Sequence, residues 1–375
     1  MANISKFAKL YADKTFEEEP FCEADVIVGS LFSYALFEET ETYKNYNLGE
    51  KTCKAHVFSD NNEVKMMCKN YLNPKIFEKF ITPLFTSKRY KDVEVGHIIH
   101  FLSESDVMQF CTFSIITKNY DLVFFRGTDI SILGRKENFN MLLEDSIPSW
   151  EAAKKYVEKI SKLNKKPIII AGHSKGGNLA YYAYFNSSKE IQNRVKYVFN
   201  FDGPGFKVDN YDYSEFGTKI FKYVPRDDIV GVIFDYSDNM IPISTSKRGV
   251  NAHDLLTWDM DKKENYRKIK RVKNFTNLSL TFRKSSALWL RKWGKESMKE
   301  LVDFIVGIAT CNDCKNLFEL KLDIIKARKV YLDKISNYDE DTKDRLKVIS
   351  RDLVKIYFRI LLHLNEYNNK GERIE

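Results

Sequence analysis

Downstream of residue 107 the chain falls into short apolar runs separated by longer stretches in which apolar residues recur every third or fourth position. Val107 to Ile116 and Leu122 to Arg126 are β-rich and apolar, and Lys118-Asn119-Tyr120-Asp121 between them predicts a hairpin or a tight strand pair. Trp150, Ala153, Val157, Ile160 and Leu163 share one helical face, with Pro148 near the helix start, where its missing N–H has no intrahelical partner to lose. Pro167 to Ala171 is a short, wholly apolar run that predicts a buried strand, and Asn178 to Ala183 predicts a helix behind it. Tyr197 to Phe201 and Lys219 to Val224 predict two more strands, the first closed by the turn Asp202-Gly203-Pro204-Gly205. Strands alternating with helices predict an α/β fold with a mainly parallel sheet covered on both faces.

The flanks read differently. Asp25 to Phe37 predicts an amphipathic helix, and residues 40 to 90 are polar and helical in part, so residues 1–105 are expected to be largely helical. From about residue 283 strand signals stop. Leu346, Ile349, Leu353, Ile356, Ile360 and Leu364 form one helical stripe, and Leu301, Phe304 and Ile305 mark another. The expected division is an α/β unit over 1–285 and a helical region over 286–375, whose stripes pack on the core.

With 375 residues and 43% apolar content the chain is ample for one large core. The net charge of +8 comes from 60 basic and 52 acidic residues, and the basic ones are scattered. That pattern predicts a solvated surface and no nucleic-acid partner, with weak contact to an anionic membrane surface as the remaining role for the excess. No run of about 18 apolar residues predicts a membrane span, and the amino terminus is too short and polar for a secretory leader. Six cysteines (22, 53, 68, 111, 311, 314) show no disulfide framework, which predicts a reducing, cytoplasmic setting. Cys311 and Cys314 form a lone C-x-x-C with no second pair and no nearby histidine, so two ordinary thiols are expected and no metal or cofactor.

The run Gly172-His173-Ser174-Lys175-Gly176-Gly177 lies between the apolar strand and its helix. Gly-x-Ser-x-Gly alone arises by chance in about one chain of this length in ten, given usual Gly and Ser frequencies. The strand-turn-helix context is what a nucleophile elbow requires: a turn tight enough to admit only glycine two residues either side of the serine. A serine hydroxyl also needs a base, and the base a carboxylate to hold its tautomer. Only His253 and His363 follow Ser174. His363 falls on the expected C-terminal helix, whereas His253 falls in a loop after the core strands, where this chemistry presents its base. For the acid, Asp227 and Asp228 follow the strand ending near Val224, and Asp202 follows the strand before it. Asp228 is the expected acid, because Ile229-Val230 behind it can lock the loop. The charge that develops on the reacting carbonyl oxygen needs preorganised donors. Lys175 offers the N–H after the nucleophile, and Thr128, after Phe124-Phe125-Arg126-Gly127, offers its N–H and its hydroxyl.

Val123-Phe124-Phe125-Arg126-Gly127-Thr128, the elbow run through Ala180, and Arg226-Asp227-Asp228-Ile229-Val230 resemble the oxyanion, elbow and acid motifs of class 3 (fungal-type) lipases. The chain is still more similar to a bacterial α/β-hydrolase family of unknown function related to those lipases. Gly134-Arg135-Lys136-Glu137-Asn138-Phe139-Asn140, Phe201-Asp202-Gly203-Pro204-Gly205-Phe206 and Ala252-His253-Asp254 resemble that family's signatures. The resemblance spans roughly residues 20 to 300. It implies an α/β-hydrolase fold and roles for Ser174, Asp228, His253 and Thr128. Two positions depart from the pattern: Arg135 stands where an aromatic residue is expected, and Asp202-Gly203-Pro204 replaces the Gly-x-Pro of the true lipases. The expectation is therefore a serine hydrolase of small-molecule or lipid acyl esters, working through an acyl enzyme. A thioesterase or acyltransferase on the same triad, or a hydrolase fold kept as a binding module, are the alternatives.

Overall fold

The structure, a computed structural model, describes residues 2–128, 132–206, 214–233, 239–310, 335–336, 338–349, 351–352 and 355–356. Five helices open the chain: α1 (Ile4–Tyr11), α2 (Glu23–Phe32), α3 (Glu41–Asn45), α4 (Asn61–Cys68) and α5 (Pro74–Thr86). The strands are β1 (Thr52–Lys54), β2 (Glu94–Ser103), β3 (Met108–Ile116), β4 (Asp121–Phe125), β5 (Ile168–His173), β6 (Val195–Phe201), β7 (Ile220–Pro225) and β8 (Met240–Ile243). Between and after them run α6 (Ile132–Leu143), α7 (Pro148–Leu163), α8 (Lys175–Phe185), α9 (Lys189–Arg194) and α10 (Asn277–Thr310).

All eight strands join one sheet in chain order. The first three pairings are antiparallel and the four from β4 to β8 are parallel. The fold is thus mixed α/β with a mostly parallel sheet. The predicted hairpin is β3–β4, with Ile116 opposite Asp121.

Sequential strand order has a consequence for the faces. Parallel crossovers are right-handed, so successive crossover helices stack on the same side of the sheet. Ile168 and Ile170 of β5, with Val123, Phe125 and Val198, meet Trp150, Val157 and Ile160 of α7 and Leu179 and Ala183 of α8 on that side. Ile169 and Ala171 point the other way, as alternation along a strand demands. Their face needs a separate cover, and the N-terminal helices supply it, with Val28 and Leu31 of α2 and Phe77 and Phe85 of α5 packing toward Phe124, Phe199 and Phe201. A buried Arg89–Asp25 pair, bonded at 2.7 and 2.6 Å, ties this cover together, and Tyr90 donates to the same carboxylate at 2.7 Å.

Two expectations for the N-terminal part change. Ala24 to Phe32 are buried on every side of α2, so this is a fully enclosed helix rather than an amphipathic one. Residues 52–54 and 94–103 are strands within the stretch expected to be helical. β2 carries no clean alternation because its register shifts between Gly96 and Ile99, where His97 takes a positive φ of 49°. At the other end α10 runs across residue 285 and breaks at Gly294, whose φ is 68°. Leu290 and Leu301 of α10 pack with Leu143, Leu346 and Ile349. Leu353, Ile360, Leu364, His363 and the Cys311/Cys314 pair lie outside the described residues, as does any account of the Arg135 side chain. Among the described residues no helix is long and apolar enough to cross a membrane.

Candidate active site

Ser174 stands between the last residue of β5 and the first of α8 with φ 57° and ψ −129°. A bulky residue avoids this region, at a cost on the order of 1–3 kcal/mol. Here the flanking strand and helix, both buried, impose it. A Cβ at Gly172 would overlap the Gly176 carbonyl, and one at Gly176 would overlap the carbonyl of Phe125 on β4. These clashes are why the elbow tolerates only glycine at both places. The N–H of Lys175 opens α8 and so has no intrahelical acceptor, which leaves it pointing out of the positive helix end beside Ser174.

Lys175 sends its side chain the other way, into the protein. Its ammonium lies 2.6 Å from Glu137 of α6, and both side chains are almost wholly buried. The Gln109 carbonyl also accepts from Lys175 Nζ, while Gln109 N–H and Ser149 Oγ donate to the Glu137 carboxylate. On the next residue, Asn138 Oδ1 accepts the Thr128 hydroxyl at 2.6 Å. α6 is therefore clamped to both the elbow helix and the segment that carries Thr128. Because a hydroxyl has one proton, the Thr128 side chain is already committed as a donor. The hydroxyl that the sequence offered as an oxyanion donor is thus turned to Asn138 in this structure. Arg126, two residues earlier, anchors the same segment through Ala35 and Ser33 carbonyls and a fork to Glu38 at 2.6 and 2.9 Å. Burial pushes Glu38 upward, but the Arg126 guanidinium outweighs it and holds the carboxyl below its usual range.

His253 ends a short helical turn over Gly249–His253. Its Nδ1 donates to Asp202 Oδ2 at 2.8 Å, so the hydrogen bond from the histidine runs to Asp202 and not to Asp228, the acid expected from the sequence. Geometry explains the exchange. Asp202 takes the first position past β6, the neighbour of β5, with φ 57°, and its N–H bonds the Tyr223 carbonyl. Asp228 lies one strand further out, behind Asp202, and Val230 and Gly231 N–H occupy its Oδ2 at 2.6 and 3.2 Å. Both carboxyls are fully buried. Burial pushes both upward; the charge of Asp202 adds to the shift of Asp228, to about 8, whereas Asp228, Lys222 and the Gly231 N–H work to lower Asp202.

His253 is placed by residues that sequence reasoning missed. His173 Nε2 lies 2.7 Å from the His253 carbonyl, which only accepts, so Nε2 carries the proton and Nδ1 accepts from Tyr34 at 2.6 Å. Burial and the neighbouring His253 hold His173 well below its ordinary pKa, hence neutral. The rings of His173 and His253 sit 4.4 Å apart, which brings His253 beside the residue preceding Ser174. Tyr71 donates to Asp254 at 2.7 Å and Trp258 to the Ala252 carbonyl at 3.0 Å, fixing the loop on both sides of His253. Asn178 of α8 receives Trp150 at 2.7 Å and reaches the Pro204 and Gly205 carbonyls at 3.2 and 3.1 Å, holding the turn after Asp202. Glu137 and Asn138 could have been suspected from the Gly134–Asn140 signature. Tyr34 and Tyr71 left no sequence signal.

Asp202, Asp228 and His253 also bring three ligand-type atoms within 4.8 Å of one another. Nδ1 is turned into Asp202, and Asp228 Oδ2 faces N–H donors, so this set is arranged around protons rather than a cation. A half-open cavity of about 670 Å³ lined by Tyr197, Phe199, Phe221, Arg267 and Arg271 lies toward the amino ends of the parallel strands. The elbow is at their carboxyl ends, where open α/β sheets do their chemistry.

A strained serine at a strand-to-helix turn of a mostly parallel α/β sheet, with a histidine–carboxylate pair packed on the residue before it, is in keeping with a lipase-like family. The Mbeg1-like family model matches residues 84–307, and the chain belongs to that family. Comparison with curated proteins and with solved structures found no match.

Proposed function

We propose that the protein is a serine hydrolase of carboxylic esters, with small acyl or lipid esters as substrates. Ser174 attacks the ester carbonyl, and His253 takes the hydroxyl proton on Nε2 and returns it to the leaving alcohol. Asp202 holds His253 with Nδ1 protonated and balances the imidazolium that forms. The N–H groups of Lys175 and Thr128 receive the oxyanion. Water then attacks the acyl enzyme, again through His253, and releases the acid. The observation that carries this reading is the 2.8 Å His253–Asp202 bond, held against the His173 ring that immediately precedes the elbow serine.

Membership in a lipase-like family favours acyl chains over other esters. Four cysteines, at 22, 53, 68 and 111, are free thiols, and this supports placing the enzyme in the cytoplasm. The test is a pre-steady-state assay with a p-nitrophenyl ester. An acyl enzyme on Ser174 predicts a burst of p-nitrophenol approaching one equivalent of protein, followed by slower turnover. Full-length folded protein that neither bursts nor turns over any of a series of short to long acyl esters would contradict the reading.

A further inference from the structure

Asp202 and Asp228 lie close together beside His253, and one oxygen of each carboxyl is engaged in a hydrogen bond. Asp202 Oδ2 accepts from His253 Nδ1 at 2.8 Å, and Asp228 Oδ2 accepts from Val230 and Gly231 N–H at 2.6 and 3.2 Å. Asp202 Oδ1 and Asp228 Oδ1 are both buried and have no partner. Backbone closes one side of the pocket, since a Cβ at Gly231 would overlap Asp202 Oδ1. One oxygen of each carboxyl and a ring nitrogen of His253 lie within 4.8 Å of one another. Two carboxylates cannot bond, because neither has a hydrogen to give. A single proton satisfies both orphaned oxygens at once and removes one of two buried negative charges, each of which would be expensive on its own.

We propose, resting on the serine-hydrolase reading, that Asp228 is a protonated positioning residue whose Oδ1–H donates to Asp202 Oδ1 and so fixes the carboxylate that orients His253. The neutral acid suits its surroundings: its carbonyl oxygen Oδ2 still accepts from Val230 and Gly231. Asp202 is the member that keeps the charge, because His253 Nδ1 donates to it and the buried Lys222 of β7 favours its anion. The groups facing the pair are Lys222 from β7, His253 from its turn and, behind His253, the neutral His173 at the end of β5. Arg226 and Asp227 share the turn of Asp228, and Ser279 of α10 bonds only its backbone carbonyl. During acylation the serine proton moves to His253 Nε2 and then to the leaving alcohol. The Asp228 proton stays where it is, so the imidazolium always faces one net negative charge and not two.

The discriminating variants are Asp228→Asn and Asp202→Asn. In the first, the amide would supply an N–H in place of the acid O–H, so kcat/KM on a p-nitrophenyl ester should stay within roughly tenfold of wild type, the worth of about one neutral hydrogen bond. Asp202→Asn should lose about 10⁴-fold, because the wrong imidazole tautomer is then favoured. The reverse ranking would overturn the proposal and make Asp228 the orienting carboxylate. A second readout needs no catalysis. Infrared spectra of the folded protein near pH 6.5 should show the carbonyl stretch of a protonated carboxyl. It should persist in Ser174→Ala, vanish in Asp228→Asn, and bleach in the wild type as the pH rises through about 8. Among the described residues, burial also raises the carboxyl of Glu23, outside this pair, so the band must also survive in Glu23→Gln. A band lost with Glu23→Gln, or no band at all, sinks the shared proton while leaving the hydrolase reading to the burst assay. If Asp228→Asn does not fold, the bleaching measured in Glu23→Gln decides the matter alone.

Discussion

Ser174 and Asp202 both sit one residue past a parallel strand with φ 57°, yet they are held there by different means. Ser174 is enforced by its own neighbours: Gly172 and Gly176 let strand and helix close on each other, and everything needed lies within a few residues. Asp202 acquires its role only when His253, 51 residues further along the chain, is brought to it. That meeting depends on His173, Tyr34 and Tyr71, drawn from the elbow and from the N-terminal cover of the sheet. In the proposed mechanism the nucleophile is built locally, whereas the base and its acid are assembled by the whole fold.

Replacing each partner should separate these two kinds of construction. Ser174→Ala is expected to lower kcat on an activated ester by about 10⁴-fold or more with an unchanged melting temperature, because the elbow keeps its shape and relieves some strain. Tyr71→Phe should instead leave the nucleophile reactive but loosen the His253 loop. Its kcat loss should be closer to tenfold, the value of one hydrogen bond to a charged group, as judged by steady-state kinetics.

The clamp between the two regions is tested by stability. Glu137→Ala strands the buried Lys175 ammonium, and breaking a buried pair from one side costs roughly 3–5 kcal/mol. Differential scanning calorimetry should show Tm lowered by on the order of 10 °C. An unchanged Tm would mean that Lys175 reaches solvent without its partner.

The contrast also explains how far the sequence could be read. Hairpin β3–β4, the elbow strand and helices α7 and α8 were legible, because each carries its own periodicity and its own turn residues. Strands β1 and β2 were not, since β1 is three residues long and β2 is broken by a bulge at Gly96. Helix α2 has an amphipathic pattern in sequence and is enclosed in the structure, because among the described residues the crossover helices pack on the other side of the sheet and α2 covers this one. In the structure, Ser174 lies at the turn between β5 and α8 and His253 in a turn after the last strand. The preference for Asp228 over Asp202 rests on its place after a strand, the apolar residues behind it and a resemblance to an acid motif, and none of these local features says which carboxyl the imidazole meets.

Smaller effects sharpen the acid corner. A carboxyl raised to about 8 in the folded protein, against about 4 when unfolded, keeps a proton that the unfolded chain loses across that interval. Its contribution to stability is therefore full below about pH 4 and declines as the pH rises toward 8, by up to about 1.4 kcal/mol per pH unit. Urea denaturation at pH 5.5 and 7.5 should show this slope in the wild type and a shallower one in Asp228→Asn. Equal slopes would indicate that Asp228 is already ionised in the native state. Thr128→Val is expected to matter least. It removes the bond to Asn138 but keeps the backbone N–H, so kcat should fall well short of the roughly 10²-fold loss that follows removal of an oxyanion donor.

Covalent labelling addresses the central claim most directly. The full-length protein is treated with a fluorophosphonate, digested, and mapped by mass spectrometry alongside Ser174→Ala and His253→Ala. A reactive elbow serine served by His253 predicts one adduct, on Ser174, absent from the first variant and formed at least about 10³-fold more slowly in the second. An adduct on another serine, or labelling of Ser174 that does not depend on His253, would contradict the account.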